Sequence, residues 1–128
     1  MKRKVIALFF ATILLFGMVS AASAADHPFM DVPDGAWYAK YVDYVYANGL
    51  MNGTSTIEFQ PQTTMSRAMV VTVLYRLAGT PECVGNQPFT DVPSGQWYSD
   101  AVLWAVENKI TNGTSATMFS PGNSITRE

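Results

Sequence analysis

Apolar positions fall along this chain in two arrangements, and each predicts a different element. The first is unbroken: Val5 to Val19 follows the basic triplet Lys2-Arg3-Lys4 and precedes the small residues Ala22-Ser23-Ala24. Charge, apolar run and small residues in that order predict an export signal over residues 1–24. The run is short for a span of about 20 apolar residues, and no positively charged stop follows it, so a membrane anchor is not expected. The second arrangement is periodic. Tyr38, Tyr41, Val42 and Val45 stand at i, i+3, i+4 and i+7, as do Tyr98, Ala101, Val102 and Ala105, and this spacing puts one face of a helix toward a core.

The first helix is expected to begin near Trp37, after the turn residues Pro33-Asp34-Gly35, and to stop near Asn48-Gly49, with Asn52-Gly53 forming the following loop. A second helix is expected from Ser66, whose hydroxyl can cap a backbone N–H, with Met65 packing on Val70 as a staple. Val70, Val73, Leu74 and Leu77 then make its buried stripe, and Gly79 and Pro81 end it.

These elements recur. A shift of sixty residues aligns Phe29 with Phe89, Asp31-Val32-Pro33 with Asp91-Val92-Pro93, Trp37-Tyr38 with Trp97-Tyr98, and Asn52-Gly53-Thr54-Ser55 with Asn112-Gly113-Thr114-Ser115. Phe59, Pro61 and Arg67 fall on Phe119, Pro121 and Arg127, with no gap anywhere. Matches at one fixed offset mean a duplicated structural unit. The chain therefore divides into the signal, a short segment 25–28, a first unit 29–78, a linker 79–88 and a second unit 89–128. The second unit stops at Ile125-Thr126-Arg127-Glu128, before its second helix, so about one and a half helix–loop–helix units are present. Such units bury their faces on neighbours, and the piece is expected to expose an apolar groove and to be marginally stable alone.

Composition narrows the function. Beyond residue 24 the chain keeps five Lys+Arg against ten Asp+Glu, a net charge of −5, which argues against nucleic acid. The lone Cys83 has no partner for an internal disulfide or a cysteine zinc site; it reads as a linker residue or as one that pairs between molecules. Catalytic chemistry is sparse, with a single histidine, His27, beside the expected cleavage point and no phosphate loop or metal-ligand cluster. No catalytic residues, metal or cofactor are assigned, and the chain does not read as an enzyme.

Both units put an arginine, Arg67 or Arg127, at the first helical position, where the helix dipole disfavours a cation by about 0.3–1 kcal/mol. One reading is an anion receptor built from the guanidinium and free helix N–H groups, suited to a carboxylate or phosphate. The other is a salt bridge from Arg67 or Arg127 to an acid such as Asp91 or Asp31. Trp37 and Trp97 read either as buried core or as faces on which a sugar ring stacks. Phe29, Phe59, Phe89 and Phe119 read as core. Asp31 and Asp91 are expected to accept local backbone N–H groups rather than to hold calcium, for which the ligand spacing is wrong. The two Asn-Gly-Thr triplets read as turns rather than glycosylation acceptors.

Phe-x-Asp-Val-Pro, Trp-Tyr, an Ala/Val-rich helix, Asn-Gly-Thr, Phe-x-Pro and an Ile-Thr-Arg-Glu or Met-Ser-Arg-Ala helix start together resemble the S-layer homology (SLH) family over nearly all of residues 29–128. The resemblance implies an all-α fold, normally a pseudo-threefold domain of three units. It implies grooves between units that hold secondary cell-wall polysaccharide, often ending in a pyruvylated sugar whose carboxylate an arginine would read. It nominates Arg67 and Arg127, Trp37 and Trp97, and Gly53 and Gly113 as ligand residues. Ser66-Arg67-Ala68-Met69 departs from the family's Thr-Arg-Ala-Glu by lacking the glutamate of a capping box.

The expected function is non-covalent anchoring of an exported protein at the bacterial surface. A second reading makes the chain the anchor fragment of a longer exported hydrolase, and a third a structural envelope protein that self-associates.

Overall fold

The computed structural model describes residues 26–125; the expected signal and Arg127 lie outside the described residues. Three helices follow one another, α1 (Ala39–Ala47), α2 (Arg67–Leu77) and α3 (Ser99–Glu107), joined by long ordered loops. Strands are absent among the described residues, where an isolated antiparallel bridge joins Ser66 to Ser124.

α1 and α3 start two residues later than expected, because Trp37 and Trp97 are still in the turn and Tyr38 and Tyr98 cap the helices. Both helices stop alike. The side-chain amides of Asn48 and Asn108 donate to the carbonyls of Tyr44 and Trp104, each at 2.8 Å. The next residue turns left-handed in both, Gly49 at φ 66° and Lys109 at φ 58°. Lys109 therefore does the work of a glycine at a steric cost of roughly 1–2 kcal/mol. Replacing it, Lys109→Gly, is expected to stabilise the chain by about 0.5–1 kcal/mol after the glycine's extra unfolded-state entropy is subtracted, visible as a Tm rise of about 4 °C in a thermal melt.

Each unit has its own core. In the first, Phe29, Val32, Ala39 and Val42 are buried, with Tyr38, Tyr46 and Phe59 packed against them. In the second, Phe89, Val92, Ala101, Val102, Ala105 and Phe119 are buried together with Val71, which comes from α2. Thus α2, part of the first unit in sequence, belongs to the second in space: it packs on α3, with Tyr75 against Trp104 at 5.7 Å between ring centres.

That placement corrects the expected stripe of α2. The buried face is Ala68, Val71 and Thr72, continued by Tyr75, and not Val70, Val73, Leu74 and Leu77. Leu74 and Leu77 are exposed. Thr72 can be buried because its hydroxyl donates to the Ala68 carbonyl at 2.8 Å. α1 has no such cover among the described residues, so Tyr41 and Tyr44 stand exposed where the matching Ala101 and Trp104 of α3 face α2.

The segment between the units is a strap along α3. Gly85 N–H donates to the Glu107 carboxylate at 2.7 Å, the Gln87 amide to the Ser99 carbonyl at 3.3 Å, and the Cys83 thiol lies 3.4 Å from the Asp100 carbonyl. Burial, followed by the nearby carboxylates of Glu107 and Asp100, pushes the Cys83 thiol above its ordinary value. His27 is buried, its ring stacked on Phe29; Nδ1 accepts from the Phe29 N–H at 3.2 Å and Nε2 has no hydrogen-bond partner among the described residues.

Candidate functional site

Asp31 and Asp91 play the same part in the two units. One oxygen of Asp31 accepts from Phe59 N–H at 2.8 Å and the other from Gln60 N–H at 2.7 Å; Asp91 does the same with Phe119 and Ser120 at the same distances. The acceptor role is as expected, but the donors lie 28 and 29 residues away instead of in the adjacent turn. Each aspartate thereby pins the Phe-x-Pro loop onto the start of its own unit. Within that loop Thr54 and Thr114 close the Asn-Gly-Thr turns by donating from N–H to the carbonyls of Glu58 and Met118, both at 2.8 Å.

The Phe59 N–H, chief among the groups bonded to it, holds the Asp31 carboxyl below its ordinary value. The charged form is thus favoured by folding, so this stability is present above the unfolded pKa and is lost as pH falls through the folded one. The Tm is expected to drop as pH goes from about 5 to about 3. In Asp31→Asn it starts lower and drops less over the same interval.

The pinned loops carry the junction between units. α2 begins on the second loop: Arg67 N–H donates to the Asn123 carbonyl at 2.8 Å, Ala68 N–H to Pro121 at 3.1 Å, and Met69 N–H to the Ser66 hydroxyl at 3.3 Å. The expected cap at Ser66 is present. The free helix N–H groups of the expected anion receptor, however, are all engaged in this first turn. The Arg67 side chain is engaged as well. Its Nε donates to the Phe119 carbonyl at 2.9 Å, one terminal nitrogen to the Thr111 hydroxyl at 3.3 Å, and the guanidinium lies 4.7 Å from the centre of the Phe119 ring. The alternative salt bridge from Arg67 to Asp91 does not form; the Asp91 oxygens accept from backbone N–H groups and the guanidinium is turned to Phe119 and Thr111. A cation at an unfavourable helix position is explained by these contacts with the next unit.

Gly113 shares the Thr111 hydroxyl, donating its N–H at 3.4 Å. Both nominated glycines have a folding reason to be glycine. Gly53 and Gly113 adopt φ 78° and 77°, and a Cβ there would come within 2.5 Å of Phe29 or Phe89 and 2.6 Å of the Glu58 or Met118 carbonyl.

The tryptophans are not core. Trp37 is 80% exposed and Trp97 59%, each with a tyrosine neighbour edge-on. Trp97 reaches across to the first unit. Together with Gly53, Leu50, Met51, Met69 and Arg76 it lines an open cavity of about 520 Å³, in the range of small-molecule sites. Of the nominated residues the structure brings Gly53 and Trp97 to this cavity, sets Arg67 and Gly113 around Thr111, and leaves Trp37 apart from both.

Arg76 was not nominated, although it supplies the cavity's positive charge. It sits in the last turn of α2, where a cation is favourable and raises no question, and its repeat counterpart would lie beyond residue 128. No group of three or more metal-ligating side chains occurs among the described residues, and no helix there is long and apolar enough to cross a membrane.

The sequence profile of the S-layer homology domain matches twice, over residues 28–68 and 88–128, well over half of the chain. The chain belongs to the S-layer homology domain family. The first match ends just past the start of α2 and the second just past Arg127, its counterpart in the repeat, so the profile's unit contains the Asp-pinned loop and, in the first unit, the helix start that docks on the next loop. Among its relatives, a surface-layer 125 kDa protein of Lysinibacillus sphaericus is 36% identical over 118 residues, covering 91% of this chain and 10% of that protein. The exoglucanase XynX of Acetivibrio thermocellus is 29% identical over 119 residues, 93% of this chain and 11% of the relative. The S-layer protein sap of Bacillus anthracis is 27% identical over 125 residues, 98% of this chain and 15% of the relative. The chain spans about a tenth of the length of the first two and little more of the third.

Proposed function

We propose that the chain is exported by its first 24 residues and anchors a longer protein to the bacterial cell wall by binding acidic secondary wall polysaccharide without a covalent bond. The observation that carries this is what the relatives have in common. Proteins named for a surface layer and for glucan cleavage share this segment at about a tenth of their length. A segment common to both serves attachment better than it serves either protein's separate task. The junction offers matching chemistry: an exposed indole for the face of a sugar ring, glycine backbone beside it, and arginine nearby for an acid. Trp97 and Gly53 are the nominated residues that line this cavity, with Arg76 as its cation, while Arg67 is engaged at the junction; Trp37, Gly113 and Arg127 would serve equivalent sites.

The exoglucanase relative favours a second reading of the whole product, in which this segment anchors a hydrolase. The surface-layer relatives favour a third, in which it anchors a structural envelope protein that also self-associates. Both keep the same role for this chain.

Sedimentation with purified wall tests the proposal. The protein is expected to pellet with intact wall and to remain in the supernatant once the secondary polymer has been chemically stripped. Equal retention on stripped wall contradicts it.

A further inference from the structure

His27 and Gln87 hold the same place in the two units, sixty residues apart, and the seat suits glutamine better. In the second unit the Gln87 amide does two jobs: its oxygen accepts from Phe89 N–H at 3.4 Å and its nitrogen donates to the Ser99 carbonyl at 3.3 Å. In the first unit His27 Nδ1 accepts from Phe29 N–H at 3.2 Å, which puts the ring proton on Nε2. Nε2 is buried without a hydrogen-bond partner among the described residues, and the Asp43 carboxylate stands 3.8 Å from it. A buried donor left unpaired costs stability, so packing and hydrogen bonding give no reason for an imidazole here. The neighbouring Asp26 is exposed and tied by its N–H to Asp43 Oδ1 at 3.0 Å.

A reason lies in the distance from the processed end. Cleavage after Ala24 makes Ala25-Asp26-His27 the first three residues of the exported chain. A free α-amine, the two backbone nitrogens that follow it and Nδ1 of an imidazole in third position can close fused chelate rings around one metal ion, with four nitrogens in a plane. Square-planar nitrogen coordination selects Cu(II), with Ni(II) binding more weakly, over Zn(II), which prefers a tetrahedron. We propose that the processed N-terminus Ala25-Asp26-His27 is a Cu(II) site that draws His27 out of its seat in the first unit. On binding, the α-ammonium gives up one proton and the amides of Asp26 and His27 one each; no electron moves, and the ion stays Cu(II). Asp26 then has no N–H to donate to Asp43, and Nδ1 no lone pair to accept from Phe29. Copper and the docked ring are therefore alternatives, and the fold holds that ring by one hydrogen bond and its stacking on Phe29. The site rests on export with cleavage after Ala24 and is independent of polysaccharide binding.

Titration of the exported, processed protein with copper(II) chloride, in the presence of glycine as a competing chelator, tests this by visible absorption and electron paramagnetic resonance. One equivalent is expected to bind with the signature of four in-plane nitrogens, and His27→Gln is expected to lose it. A chain whose α-amine is acetylated keeps every side chain and is expected to lose it too. The unfolded chain presents the same nitrogens without having to undock the ring, so copper is expected to lower the wild-type Tm and to leave that of His27→Gln unmoved. Without copper, His27→Gln is expected to melt no lower than the wild type, as Gln87 fills the same seat in the second unit. Four-nitrogen copper retained by the acetylated chain or by His27→Gln overturns the proposal, as does a wild-type Tm that rises with copper. An intact mass that puts the first residue elsewhere than Ala25 removes the cleavage point and the site together. A chain that begins at Ala25 and binds no copper removes the site alone.

Discussion

Phe119→Ala is expected to destabilise the chain by about 3–5 kcal/mol, measured by denaturant unfolding followed by circular dichroism. The Phe119 residue is 0% exposed in the core of the second unit, its ring 5.7 Å from that of Phe89 between centres and 4.7 Å from the Arg67 guanidinium. Removing it leaves a cavity at the place where α2 docks, so the loss includes the junction as well as the unit. A small domain holds about 5–15 kcal/mol in total, and this substitution alone should bring the Tm down by about 15–25 °C. Phe119→Leu, which refills much of the space, should cost less than half as much. A cost under about 1 kcal/mol for the alanine variant would mean that the Arg67–Phe119 contact does not organise the junction.

The second large effect concerns Gly113. A Cβ there meets the Met118 carbonyl and the Phe89 ring, both fixed, at a backbone angle that costs an L-residue roughly 1–2 kcal/mol even in open space. Gly113→Ala is therefore expected to lose about 2–4 kcal/mol. Gly122, two residues past Ser120 in the same loop, has nothing within 4 Å of its position and no left-handed backbone, so Gly122→Ala is expected to be neutral or slightly stabilising. Equal melting curves for the two variants would remove the folding reason assigned to Gly113.

The repeat makes most of the fold legible in the sequence. Helix existence, the Ser66 cap and the turns after α1 and α2 follow from residue type, because caps and left-handed turns are local, whereas the left-handed turn at Lys109 after α3 has no glycine to announce it. What failed was whatever depends on a distant partner. The stripe of α2 was misplaced because Arg67–Leu77 is apolar on several faces, with Val70, Val71, Val73, Leu74 and Leu77 fitting two registers. Only its docking on α3 chooses the face with Ala68, Val71 and Thr72. A carboxylate before a turn has a short-range explanation, so the sequence points Asp31 and Asp91 to donors in the adjacent turn; the pin across 28 residues carries no local signal.

The site was legible in kind and less so in membership. The anomaly of a cation at a helix start points to the right junction, but it is resolved by a carbonyl, a hydroxyl and a phenyl ring of the next unit. Arg76 gives no signal in the sequence because a cation is favourable in the last turn of a helix. The tryptophans could not be assigned from sequence, because a residue opening a helix is buried or bare according to what packs over the preceding turn; the structure leaves both bare.

Amide and indole shift mapping by NMR, with labelled protein titrated against purified acidic wall polymer, is the sharpest test of polymer binding between the units. Saturable shifts are expected on the Trp97 indole N–H, Gly53 and its loop neighbours, and the Arg76 side chain, with the second-unit core around Val102 unmoved. Saturable binding whose shifts avoid the inter-unit cavity, or a spectrum that does not respond to polymer at all, would contradict it.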